Sequence, residues 1–170
     1  MRYFGIDPGV NGGIALLDGE GHVIEALKMP TTDADLLHHL LFNFVFKFVP
    51  TRCRAVLERA SASPQMGVVS AFTFGRGYGA LRMALTASQI PFDEVSPVKW
   101  QTAMGCRTGG DKNVSKRRAQ QLFPGVTVVH AIADALLLAE YCRRVDRGMF
   151  APTPAKGLAA NAKEGVDFGG

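Results

Sequence analysis

The chain has 170 residues, 47% of them hydrophobic, which is enough for one domain with a packed core and too few for two ordinary ones. The formal charge is only +4, but between positions 99 and 118 six basic residues (Lys99, Arg107, Lys112, Lys116, Arg117, Arg118) face one acid, Asp111, so this stretch carries +5 and the rest is close to neutral. Three widely spaced cysteines argue against a disulfide framework or a zinc site, and the longest apolar run, 42–49, is broken by Asn43 and Lys47 and falls far short of the ~20 residues of a membrane span.

In chain order, strands are expected at Arg2–Asp7, Gly13–Asp18 and His22–Lys28, the last two joined by a Gly19-Glu20-Gly21 turn. MRYFGIDPG enters the first strand without a basic and apolar leader, so no signal peptide is expected and the protein should be soluble and cytoplasmic, in a host cell if viral. After Pro30, apolar residues from Leu36 to Phe48 recur at helical spacing, with His38 and His39 on or near the flank, and Pro50 ends that helix. Arg54–Glu58 reads as a buried strand. Ser63-Pro64 should open a long helix reaching about Ser88, in which Gly75, Gly77 and Gly79 imply a close neighbour, either within the monomer or in a second copy. Phe92–Val95 is a further strand, Pro97 opens a short helix through Trp100, Val114–Phe123 is a basic helix, and Val126–Val129 a last short strand. The final helix, about Ile132 to Arg144, turns Leu136, Leu137, Leu138 and Tyr141 to the core. Strands first and then alternating strand and helix indicate an α/β domain over 1–150, followed by a flexible Ala/Gly/Pro/Lys tail over 151–170.

Three carboxylates carry the chemical signal. Asp7 ends the first strand before a glycine-rich bend, where it can meet a metal or merely accept hydrogen bonds from the turn. Glu58 ends the VLE strand in the same way. His130 and Asp134 are four apart, hence on one face at the start of the last helix, and a carboxylate pressed against the core without a basic neighbour needs a cation. The basic run has two readings, a polyanion-binding surface and a solvated helix face.

The ordered set GIDPGVNGGIAL, VLERA, FGRGYGALR, VSPVKWQ, DKNVSKRRAQQLFP and HAIADALLLAEY, spanning about Arg2 to Tyr141, resembles the RuvC-like Holliday-junction resolvases. The likeness is strongest to their phage-type and plant-organellar branch, within the ribonuclease H-like superfamily. This resemblance implies a mixed five-stranded sheet flanked by helices and a homodimer joined through the glycine-bearing helix. It also implies paired cleavage of four-way DNA junctions. Asp7, Glu58 and Asp134 would be metal-binding carboxylates, and His130 falls where relatives carry Asp or His. With two Mg²⁺ (or Mn²⁺) ions ~4 Å apart, Asp7 would bridge them, Glu58 would hold one and Asp134 the other, and His130 would serve as ligand, general base or phosphate anchor. Lys112 and Lys116 match basic residues that approach junction phosphates, and Arg76, Lys99, Arg117 and Arg118 complete the candidate DNA surface. Arg59-Ala60-Ser61 stands where bacterial resolvases place an aromatic wedge, leaving Met66 as the nearest sizeable apolar candidate. Competing readings are a ribonuclease H-like nuclease for another branched DNA or RNA, and a junction-binding protein without catalysis. An actin-like ATPase shares the opening turn but needs a second phosphate loop and two lobes.

Overall fold

Alternating side chains along the first strand set the architecture. In the computed structural model, which describes residues 1–30, 52–59, 65–107 and 109–150, β1 (Arg2–Asp7) is the middle strand of a five-stranded sheet. Its neighbours are β2 (Gly13–Leu17) and β4 (Cys53–Glu58), with β3 (Val23–Lys28) and β5 (Phe92–Val95) at the edges. β1–β2 and β2–β3 pair antiparallel, β1–β4 and β4–β5 parallel, so the sheet is mixed as expected. Tyr3, Ala15, Leu17 and Val56 pack on one face against α4 (His130–Asp146). Phe4, Ile6, Ile14, Leu16, Ala55 and Leu57 pack on the other, with Leu81, Ala84 and Leu85 of α1 (Val68–Ala87). The period of two thus serves two cores at once.

α4 lies directly on the sheet because β1 and β2 offer glycines beneath it. A Cβ at Gly5 would stand 2.1 Å from both Ala135 O and Ala139 N, and one at Gly13 would stand 2.5 Å from Ala131 O. Leu136, Leu137, Leu138 and Tyr141 are buried, as their spacing predicts. α2 (Pro97–Met104) starts with proline in its first turn and ends on Gly105 at φ 67°, a left-handed conformation suited to glycine. α3 (Lys112–Leu122) is capped by Asp111, whose carboxylate accepts from Asn113 N at 2.9 Å. No described helix is long and apolar enough to cross a membrane.

Several boundaries differ from those expected. The long helix begins at Val68 behind Gly67, not at Pro64, since Gln65 and Met66 form a turn and bend. α2 continues past Trp100 to Met104, and α4 runs from His130 to Asp146. Residues 126–129 form no strand: the Gln120 amide donates to Val126 O at 3.0 Å and accepts from Val128 N at 3.3 Å, taking the backbone groups that a neighbouring strand would need. The helix expected between Pro30 and Pro50 and the tail over 151–170 lie outside the described residues.

At the end of the sheet where β1 and β4 begin, charges satisfy one another. Tyr3 OH donates to Asp146 at 2.8 Å, Arg54 pairs with Asp93 at 2.8 Å and with Asp146 at 3.5 Å, and Arg147 donates to Gly19 O. Buried Glu140 is gripped by Arg143 and Arg144, each at 2.7 Å. Burial alone would raise its pKa, but those hydrogen bonds hold it below the usual carboxylate range.

Candidate active site

The opposite end of the sheet, where β1 and β4 finish, carries the acidic residues. The parallel register pairs Ile6 with Leu57, so Asp7 and Glu58, next along each strand, stand side by side. By alternation with Tyr3 and Val56, both belong to the α4 face. The turn after β1 fixes the first carboxylate: Gly9 N donates to Asp7 Oδ1 at 3.0 Å, and a Cβ at Gly12 would stand 2.6 Å from Asp7 Cγ. Glycine at 12 is therefore required by the approach of Asp7 itself. α4, seated on Gly5 and Gly13, delivers His130 at its first position and Asp134 one turn later.

Asp7 belongs to two adjoining clefts. The larger, about 480 Å³, is shared with His130, Asp134, Ser115, Lys28 and Asn11. The smaller, about 200 Å³, is shared with Glu58, Arg59, Phe74 and Pro97. Asp7 and Asp134 are close enough to Glu58 for their charges to act on it. Burial pushes the Glu58 carboxyl up to about 8, and the negative charges of Asp7 and Asp134 add to the rise. The fully buried Trp100 indole N–H has no standard acceptor among the described residues, yet its positive end lies near enough to Glu58 to hold that rise back.

The donor chemistry fits a hard divalent cation, since three carboxylates supply oxygen and Mg²⁺ keeps several waters and needs few protein ligands. A carboxyl pushed up by like charges also gains most from a cation. In their present rotamers, no three acid, imidazole or thiol groups among the described residues converge on one point. Asp7 with Glu58 in one cleft, and Asp7 with His130 and Asp134 in the other, are the groupings that form.

The basic candidates lie on α1, α2 and α3, and among the described side chains none of them lines either cleft. α3 sends Ser115 into the cleft floor and carries Lys112 as its first residue, with Lys116 half-buried and Arg117 exposed, 3.9 Å from Asp111. Arg118 donates its Nε to Met104 O at 3.0 Å and its Nη1 to Gln121, so it also ties α3 to the end of α2. Lys99 is exposed on α2 and Arg76 on α1. His130 is exposed at the cleft mouth, near enough to Asp111 to help lower that carboxyl, after the hydrogen bond from Asn113 N.

Asn11, Lys28, Phe74 and Ser115, which line the clefts, and Trp100, which lies near Glu58, were not singled out by the sequence reading. Lys28 reaches the cleft through the strand register, because Asp7 pairs with Gly13 and Gly13 with Lys28 straight across three strands. Phe74, six residues into α1, lines the Glu58 cleft, whereas Met66 is a half-buried bend residue outside it.

No family model and no curated protein matches the sequence. Solved structures do. RuvC of Thermus thermophilus, in a structure described as a complex with a Holliday junction substrate, superposes with a TM-score of 0.67 at 18% identity, over 87% of this chain and 97% of that one. Another structure of the Thermus thermophilus RuvC protein gives 0.65 at 17% identity over the same shares. With its mixed five-stranded sheet, its helices on both faces and its acidic strand ends, the chain has the RuvC-type, ribonuclease H-like fold.

Proposed function

We propose that this chain is a divalent-metal-dependent endodeoxyribonuclease that resolves four-way DNA junctions by paired cuts, as a homodimer. The observation that carries the reading is the like-charge cluster: Asp7 and Glu58 end adjacent parallel strands, and Asp134 is close enough to contribute to a Glu58 pKa of about 8. A fold has no structural use for three mutually repelling carboxylates at one sheet end, whereas a cation site has. Within the resolvases, the motif set supports the phage-type and plant-organellar branch.

Bound divalent ions would activate a water and take up charge on the phosphoryl oxygens. Asp7, oriented by Gly9 N and common to both clefts, is the residue able to serve both. Glu58 holds its proton at neutral pH until a cation displaces it. His130 at the mouth is placed to meet the incoming phosphodiester or the ion beside it. Lys112, Lys116 and Arg117 on α3 draw the sugar-phosphate backbone toward the cleft and fix its position without reading sequence.

The dimer rests on α1. Val68, Val69, Phe72 and Met83 are exposed, Phe72 to 72%, and nothing among the described residues lies within 4 Å of a Cβ at Gly75 or Gly79. The close neighbour implied by those glycines is thus not another described part of the monomer, and a second copy related by a two-fold axis would match the two-fold symmetry of a junction. The deciding experiment is cleavage of synthetic four-way junctions, flaps, duplexes and RNA hairpins across Mg²⁺ and Mn²⁺ concentrations. Symmetric cuts in the junction alone are expected; preferential cutting of another substrate, or binding without cutting, would replace this reading.

A further inference from the structure

Lys28 stands apart from the basic run on α3. It ends β3, on the far side of the larger cleft from that helix, and its register partner Gly13 pairs in turn with Asp7. Residues aligned across neighbouring strands share a face, so Lys28 and Asp7 lie on the same side of the sheet, two strand spacings apart, about 10 Å. Both line the larger cleft. Lys28 is exposed and forms no ion pair among the described residues, although the clusters at the other end of the sheet bind nearly every charge they contain. Asn11, exposed on the β1–β2 turn, lines the same wall. Ser115, on the α3 side of the same cleft, has its hydroxyl buried near the Cys106 thiol and is not available to a ligand at the Lys28 side.

An exposed ammonium and an exposed amide bordering one cavity make a donor pair that suits an anion. With the carboxylates of Asp7 and Asp134 in the same cleft, that anion has to be held at the Lys28 wall, away from the cation centre. We infer that Lys28 and Asn11 form a second phosphodiester subsite, which holds a phosphate next along the DNA strand from the one cut at Asp7. The inference rests on the proposed nuclease reading and deepens it. The strand would lie across the sheet end, gripped by α3 on one side of the cut and by Lys28 on the other. Two grips fix the direction of the strand through the cleft, as a single patch cannot.

The test is junction binding by fluorescence anisotropy in Ca²⁺, as a function of salt, for wild type, Lys28→Ala, Lys28→Gln and Asn11→Ala. Loss of one phosphate contact lowers the salt slope by about one and weakens binding by roughly an order of magnitude near ~0.1 M salt. Both Lys28 variants should show this with unchanged thermal melting, and Asn11→Ala a smaller loss with the slope unaltered. Neutral methylphosphonates placed singly beside the scissile position supply the second readout. One of them should weaken wild type as Lys28→Ala does, and should cause no further loss in Lys28→Ala. Wild-type binding and cutting with an unchanged slope in Lys28→Ala overturns the subsite and leaves the nuclease reading standing. So does a lower metal requirement in Lys28→Ala, which would make Lys28 a stand-in counter-ion for Asp7 and Asp134. A wild type that neither binds nor cuts junctions overturns both.

Discussion

Among single residues, Glu58 gives the sharpest expectation. Its carboxyl titrates near 8 in the folded protein and in the usual range, near 4.5, when unfolded, so the native state binds the extra proton between those values. Stability of the metal-free protein is then full below about pH 4.5 with respect to this group and is lost as pH rises through 8. The melting temperature without metal should fall across that window, and Glu58→Gln should flatten the fall; a parallel slope in the variant would dismiss Glu58 as its origin. The same proton must leave when a cation binds. Calorimetric titration of Mg²⁺ or Mn²⁺ near pH 7, in buffers of differing ionisation enthalpy, should register close to one proton released by wild type and none by Glu58→Gln. Asp7→Asn should abolish cutting while leaving junction binding near wild type, because it removes a shared ligand and leaves the basic surface; cutting within tenfold of wild type would displace Asp7 from the centre. His130→Ala should recover part of its lost activity at high metal if the imidazole is a ligand, and none if it meets the phosphate.

At the level of elements, the two sets of glycines behave oppositely. Gly5→Ala drives a methyl to 2.1 Å from the α4 backbone, so α4 must lift from β1. Overpacking of this kind costs about 1–3 kcal/mol or more. Melting temperature and cleavage should fall together. Gly79→Ala meets no described residue within 4 Å and replaces a poor helix former, so an isolated monomer should gain up to ~1 kcal/mol. The sequence disclosed most of this framework. Short apolar runs, buried on both faces, gave β1 and β4, and the apolar run 135–139 gave α4. The apparent strand 126–129 misled because β-branched valines reveal burial and not pairing, and only the fold brings the Gln120 amide within reach. The helix start at Val68 was misplaced because Ser63-Pro64 is a strong local signal for a start that the chain reaches only after Gly67. Asp7, Glu58 and Asp134 were legible as strand-end and helix-start acids. Lys28 and Phe74 were not, since their place at the clefts depends on cross-strand register and helix orientation.

For the molecule as a whole, the exposed apolar face of α1 predicts a dimer. Sedimentation should find two copies, and Gly79→Leu, which adds bulk where no described residue of the monomer lies within 4 Å of the new Cβ, should yield folded monomers that bind junctions but no longer cut both strands in concert. A wild-type monomer that makes paired cuts would remove α1 from that role. The two ends of the sheet differ in kind. Where β1 and β4 begin, Tyr3, Arg54, Asp93 and Asp146 neutralise one another, and nearby Glu140 is closed by two arginines. Where β1 and β4 finish, Asp7, Glu58 and Asp134 oppose one another. One pole is therefore held by ion pairs, and at the other the proposed cation would offset the repulsion. In amide hydrogen exchange, the residues after Ile6 and Leu57 and the first turn of α4 should open most readily without metal and slow when it is added. The residues around Tyr3 and Arg54 should keep the same protection throughout, so that the ligand is felt as a hardening of one end of a sheet whose other end was already set.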